Sequence, residues 1–260
     1  MKSTEYIEWD KLEQIPFCLC RIAEDEENQE IDVYYLDKRV CHDYDHIIDN
    51  NSETIRNAVS EKLSHLTSGT EDYITAWKAL QDEAAEVVVD ILKPLLPNCE
   101  FYIPKGKSTY PDIKITAPNG DLYAIDVKCN EASKDPWFDM ARLDTIYKER
   151  INKYVYEWEL IIKYDSEDNG KFLKAYFLKF REVVGMRPDC KGIKYRPYDG
   201  KVRPKTWSDF DNEIVYWKTD DDFHKGIDIS LIYRWKENIK STLVPKLTDE
   251  QKKEFKALFD

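Results

Sequence analysis

The sequence predicts an α/β fold, a mixed central β-sheet flanked by helices. Three observations predict it: a helical apolar period from Ile74 to Leu95, a switch to strand alternation after Pro97, and further helix and strand signals to about residue 180. In the helix, Trp77, Leu80, Ala84, Val88, Ile91 and Leu95 recur at three and four, one buried stripe, and SGTED at 68–72 supplies cap-type residues ahead of it. An earlier helix is expected from Asn50 to Leu66. Beyond Pro97-Asn98, Phe101 and Ile103 alternate with Tyr102, and Ile113 and Ile115 alternate with Asp112, Lys114 and Thr116. Pro118-Asn119-Gly120-Asp121 is a strong turn and runs directly into the strand DLYAIDVKC, so a hairpin is expected. Residues 137–157 read as helix, EWELIIKY at 157–164 as a buried strand and KAYFLKF at 174–180 as another.

The chain has 260 residues, 42% of them hydrophobic and 13% aromatic, enough for a packed core. No stretch approaches the roughly 20 apolar residues that span a bilayer, and no apolar run follows the first charges, so a cytoplasmic protein is expected. The six cysteines, at 18, 20, 41, 99, 129 and 190, lack the spacing of a disulfide framework and are expected to be reduced. Cys18, Cys20, Cys41, His42 and His46 hold soft-metal ligand types, but only Leu19 separates the first pair, unlike the paired spacing of structural zinc sites. His224 reads as a surface residue.

A net charge of −12 opposes a polyanionic partner when taken as a sum. Its distribution is uneven. Residues 1–53 hold fifteen acids and five bases, whereas residues 169–206 hold eleven Lys or Arg and three Asp or Glu, a local excess of eight positive charges. That excess offers either a solvated loop region or a phosphate-binding face.

The residues that point to chemistry are YPDIKITAPNGDLYAIDVK, 110–128, in which one aspartate opens the hairpin and an Asp-x-Lys pair closes it. Side chains two apart on a strand share a face, so Asp126 and Lys128 project together while Ile125 and Val127 point to the other side. Two carboxylates and an ammonium then converge. Hard oxygen donors such as carboxylates suit Mg²⁺, which keeps several waters and can activate one for attack on a phosphodiester. Lys128 would orient or help deprotonate that water and stabilise developing charge. The tripeptide (D/E)-x-K alone is weak evidence, since it begins six times here, at Asp112, Asp126, Asp189, Asp199, Glu250 and Glu254. Only the copy at Asp126 lies in a β-branched apolar strand behind a turn and a Pro-Asp strand.

Register tests the idea within the sequence. A two-residue Asn119-Gly120 loop would place Asp112 opposite Val127 and on the wrong face from Asp126. A glycine bulge at Gly120, or an Asp112 that leaves the ladder just after Pro111, is therefore expected. On a helical wheel Glu83 flanks the apolar stripe near Val87 and Glu86 lies almost opposite it, which makes Glu83 the better candidate for a further carboxylate.

At these residues the chain resembles the type II restriction endonucleases of the PD-(D/E)xK superfamily, in particular the EcoRV-like branch. Tyr110-Pro111-Asp112 and Ala124-Ile125-Asp126-Val127-Lys128 sit as that branch's Y-P-D and A-I-D-I-K elements do, and Glu83 stands at the distance of its helix glutamate. The sequence departs at Cys129-Asn130, where the branch carries hydroxyl residues, and a weaker likeness extends over 207–239. The resemblance implies a restriction-endonuclease-like core and a restriction-modification role: a homodimer that uses Mg²⁺ to cut double-stranded DNA at a palindrome, leaving blunt ends. It implies Asp112, Asp126, Lys128 and Glu83 as catalytic residues, with Asp112, Asp126 and Val127 at the metal. On this reading 1–260 is a single nuclease domain with an acidic arm (1–70), a catalytic core (71–180), a DNA-recognition segment (181–236) and a C-terminal helix (237–260). Asn130, Lys134, Arg187, Lys191, Lys194, Arg196, Lys201, Arg203 and Lys205 are the candidate DNA contacts, with Tyr195, Tyr198 and Trp207 for packing on sugar or bases. A repair or resolvase nuclease on the same scaffold, or a DNA-binding protein without cleavage, are the alternatives.

Overall fold

The computed structural model describes residues 20–23, 32–35, 43–65, 73–104, 110–168, 170–248 and 251. The chain divides into two compact units, Met1–Asp49 and Asn50–Asp260. The first contains an antiparallel pair, β1 (Cys20–Ala23) and β2 (Asp32–Tyr35), and all but the last residue of the helix α1 (Asp43–Asn50). Cys18, Cys41 and His42, like the SGTED stretch, lie outside the described residues.

The second unit is built on a five-stranded sheet in the order β3 (Glu100–Tyr102), β4 (Ile113–Thr116), β5 (Leu122–Glu131), β6 (Tyr156–Asp165), β7 (Lys171–Lys179). All neighbours are antiparallel except β5 and β6. The sheet is therefore mixed, and with its helices it forms the expected α/β architecture. Helices α2 (Ser52–Ser64) and α3 (Tyr73–Leu95) flank it, α3 packing on β5 and α2 on β7.

One sheet face is continuous and apolar, with Ile125, Val127, Trp158, Leu160, Ile162, Ala175 and Phe177 all buried. The other face differs. Ile161 and Tyr176 join Phe180, Val184, Ile193, Trp207, Phe210, Trp217 and Phe223 in a core that secures the C-terminal half. The segments packed there include α4 (Phe180–Val183), α5 (Trp207–Asp211) and α6 (Asp220–Asn238). Both α5 and α6 start at a threonine, Thr206 and Thr219, whose hydroxyl accepts the backbone N–H three residues on.

Two expectations need correction. Residues 137–157 are not a helix: only a 3₁₀ turn at Leu143–Thr145 and a π turn at Tyr147–Ile151 interrupt an irregular crossover. Their preceding backbone is committed elsewhere, since Met140 and Leu143 N–H groups donate to Val202 and Gly200, and Val202 donates back to Ala141. Strand-like pairing to a distant segment has overridden the local helical pattern. The buried stripe of α3 is also rotated: Leu80, Ala84, Ala85, Val88, Val89, Leu92 and Leu96 are buried, while Leu95 is exposed. Beyond α6 the chain widens into a π turn at Ile239–Leu243 and then tightens into a 3₁₀ turn at Val244–Lys246, and residues 249–250 and 252–260 of the expected C-terminal helix lie outside the described residues.

Candidate active site at the β4–β5 hairpin

The turn decides which side chains meet. Ala117 N–H donates to Asp121 and Gly120 N–H donates to Ala117, both at 2.9 Å, so the loop between the last pair is Pro118-Asn119-Gly120. Gly120 occupies the left-handed region at φ +88°, the conformation that lets a three-residue loop close with one bulged glycine. An odd loop shifts the register by one. Ile113 pairs with Ile125 and Thr116 with Leu122, so Asp112, one residue before β4, falls level with Asp126. The expected bulge at Gly120 and the expected departure of Asp112 from the ladder both occur.

Three groups follow from that register. The Asp112 carboxylate accepts a 2.7 Å hydrogen bond from the Val127 amide, which holds it beside Asp126. Burial, followed by the neighbouring Asp126 charge, pushes the Asp112 pKa up to about 7. Asp126 is 2% exposed. Its Oδ2 stands 2.6 Å from Lys128 Nζ. Burial works against the Lys128 ammonium, but Asp126, Glu159 and Asp112 outweigh it and hold the lysine protonated, its pKa above the ordinary range. The oxygen donors here are hard and few, a set that fits Mg²⁺ held by two carboxylates with water completing the shell. Among the described residues no group of three or more His, Cys, Asp or Glu side chains forms a ready cage.

Helix α3 approaches this site with a different side chain from the one the wheel selected. Gln81 donates its amide to the Val127 carbonyl, the third oxygen expected at the metal. Glu83 stands 3.5 Å from Lys62 of α2. The rotated buried arc centres on Gln81, and Glu83 lies roughly 200° further round the helix, which is why its carboxylate turns to α2. Glu86 is exposed.

Beneath the hairpin lies a buried charge network that the sequence reading did not anticipate. In the parallel register Asp126 stands beside Glu159 and Ala124 beside Glu157. Arg150 reaches both, 3.2 Å from Glu157 and 3.3 Å from Glu159. Its guanidinium also lies 3.4 Å from the Tyr110 ring centroid, and Tyr110 donates its hydroxyl to Glu157. Burial raises the Glu157 pKa to about 7, Arg150 partly opposing it. Burial and then Asp126 raise that of Glu159 well above the carboxylate range. The available signal was two glutamates, at alternate positions, inside the apolar strand EWELIIKY.

The candidate DNA contacts separate into groups. Arg203 and Lys205 are turned inward, 1% and 2% exposed. Arg203 pairs with Asp139 at 2.6 Å, and Lys205 donates to the Ile214 carbonyl at 2.6 Å. These two were expected on a contact face and instead serve the interior, because Asp139 and the 206–214 turn supply acceptors there. Arg196 forks onto Asp199, Lys201 reaches Asp139, and Arg187 forks onto Asp189 while its guanidinium lies 4.8 Å and 5.0 Å from the ring centroids of Tyr195 and Tyr233. Lys191 takes φ 53°, and burial lowers the pKa of the half-buried Lys194. Lys134 is exposed, 3.0 Å from Glu131, and Asn130 holds the Trp137 backbone at 3.1 Å. Trp207 does not project for packing on DNA. Its indole is buried and donates to the carbonyls of Glu131 and Lys134, fixing the loop after β5. Tyr198 is exposed beside Arg196.

Fold and site together define an α/β protein with two aspartates and a lysine assembled on a hairpin of its central sheet. Over 60% of its length the chain is similar, at 20% sequence identity and a TM-score of 0.43, to the solved structure of NlaIV restriction endonuclease. The match spans 65% of that endonuclease chain. No family model matches the sequence, and no curated protein matches it. Among the described residues no helix is long and apolar enough to cross a membrane.

Proposed function

We propose that this chain is a Mg²⁺-dependent type II restriction endonuclease of the PD-(D/E)xK superfamily, acting on double-stranded DNA. The observation that carries the proposal is the meeting of Asp112, Asp126 and Lys128, with Asp112 hydrogen-bonded to the Val127 amide level with Asp126, and Lys128 Nζ 2.6 Å from Asp126 Oδ2. Two neighbouring carboxylates repel one another when both ionise, and a divalent cation is the partner that relieves this while leaving both available as ligands. Bound there, Mg²⁺ would neutralise phosphodiester charge and make a bound water acidic enough to act as nucleophile.

The protein's own groups supply the rest. Asp112 and Asp126 would hold the ion, and the Val127 carbonyl, oriented by the Gln81 amide, would offer its second lone pair. Lys128, held as an ammonium, is suited to donate a hydrogen bond to the attacking water or to a phosphate oxygen, stabilising negative charge as it builds on phosphorus. The water oxygen bonds to phosphorus, one P–O ester bond breaks, and the proton lost by the water is balanced by protonation of the leaving oxygen. Glu83 would take part only by leaving Lys62.

The finer features, a homodimer that cuts a palindrome to blunt ends, follow from the motif resemblance. Phosphate and base contacts are proposed for Asn130, Lys134, Arg187, Lys191, Lys194, Arg196 and Lys201, whose charged or polar ends do not serve the interior as those of Arg203 and Lys205 do. The test is incubation of purified protein with plasmid DNA and Mg²⁺. Discrete bands support restriction; random nicking points to a repair or resolvase nuclease, and an intact plasmid with a mobility shift to a DNA-binding protein.

A further inference from the structure

At the C-terminal end of β5, immediately beyond Lys128, an open cavity of about 530 Å³ is lined by Cys129, Asn130, Glu131, Lys134, Asp135, Trp137 and Tyr164. Trp137 stands out among them, 57% exposed although it is the largest apolar side chain there. It is not a loose surface residue. Its backbone N–H donates to Asn130 Oδ1 at 3.1 Å, and its backbone carbonyl accepts from Arg203 Nη1 at 3.2 Å. The Arg203 guanidinium lies over the ring, 4.3 Å from its centroid, and this cation is buried with Nε and Nη2 lacking any hydrogen-bond partner. The indole therefore supplies part of what that cation lost on leaving water. One ring face is backed by the guanidinium, and more than half of the residue's surface is still open.

A fixed, exposed aromatic plane beside polar side chains has a characteristic use. Flat π-systems stack on it at little entropic cost because the platform is already ordered. The cavity adds the amide of Asn130, the carboxylates of Glu131 and Asp135 and the ammonium of Lys134, the last with its side chain 80% exposed. Carboxylates and amides suit the edge of a planar heterocycle carrying N–H groups, and an exposed lysine suits a neighbouring phosphate. A paired base inside a duplex cannot offer its face, so the ligand must be unstacked.

We propose that Trp137 is a stacking platform that receives an unpaired nucleobase next to the candidate active site. The choice of ligand rests on the nuclease reading, and it adds that the DNA is locally unpaired or splayed where it meets this cavity.

The experiment measures binding in EDTA, where no cleavage occurs, by fluorescence anisotropy of two end-labelled single strands: a thymidine dodecamer and a dodecamer of abasic spacers with the same phosphates. The wild type should bind the thymidine strand more tightly. Trp137→Ala should weaken that binding by about 5- to 100-fold and leave the spacer strand unchanged, while Trp137→Phe stays within about threefold of wild type. Equal affinity of the wild type for both strands, or equal losses on both strands in Trp137→Ala, overturns the proposal. Should Trp137→Ala fail to fold, Trp137→Phe and Trp137→Leu give the same comparison, with retention only in the aromatic variant expected. The outcome is separable from the nuclease reading, since a plasmid left uncut in Mg²⁺ would sink that reading without altering the base-dependent difference.

Discussion

Asp112 is tied to Val127, its carboxylate accepting the Val127 amide at 2.7 Å from outside the β4 ladder. This single bond places a carboxylate from one strand beside Asp126 on the next, and it exists only in the register that the three-residue loop sets. An added Cβ at Gly120 meets no atom within 4 Å, so substitution there acts on the backbone alone. Gly120→Ala is expected to cost about 1–2 kcal/mol, measured as a lower urea midpoint with unchanged slope. A midpoint equal to wild type would mean that the left-handed turn is not required.

The pH dependence of stability follows from two carboxyls whose folded pKa values lie near 7, Asp112 against an ordinary 3.8 and Glu157 against 4.5. A raised folded pKa means that the native state binds the proton more tightly than the unfolded chain does. The stabilisation is therefore complete below about pH 4 and is lost as pH rises through about 7. Urea midpoints of protein in EDTA should fall between pH 5 and pH 8, and added Mg²⁺ should restore more stability at pH 8 than at pH 5. A midpoint rising across this interval would contradict the assignment.

Arg150 stabilises the sheet beneath the site by facing Glu157 and Glu159 together. Arg150→Met leaves two buried carboxyls without their cation and should cost about 3–5 kcal/mol. Adding Glu157→Gln and Glu159→Gln to it should recover a large part of that loss in the same unfolding assay. No recovery would show that Arg150 acts through packing on Tyr110 and Phe180 rather than through charge.

Helix α3 offers a choice between two neighbours. Gln81 contacts the Val127 carbonyl, whereas Glu83 pairs with Lys62. Gln81→Ala is expected to slow cleavage by about tenfold, equivalent to about 1.4 kcal/mol of transition-state stabilisation, and Glu83→Ala to leave it within about threefold. The reverse order in a plasmid cleavage assay would return the role to Glu83.

Much of this was legible in the sequence. Strand alternation and the Pro-Asn-Gly-Asp turn fixed β4, β5 and the hairpin, because period two and turn chemistry are local properties. Even the need for a bulge at Gly120 could be read, since an even loop would have turned Asp112 to the wrong face. Residues 137–157 misled because their backbone partners lie at 200–202, a pairing that no local window contains. The phase of α3 was set by Leu95 as much as by the true core residues, and the error carried Glu83 toward the site and Gln81 away from it. Charge counting likewise treated eleven cations at 169–206 as one surface, although burial assigns Arg203 and Lys205 to internal acceptors.

The measurement that bears most directly on the central claim is the rate of plasmid cleavage in Mg²⁺ by Asp126→Ala and Lys128→Ala, set beside their DNA affinity in Ca²⁺. Both variants should lose at least about 10²- to 10³-fold in rate while binding within a few-fold of the wild type. Cleavage at the wild-type rate by either variant would contradict a site built from Asp112, Asp126 and Lys128.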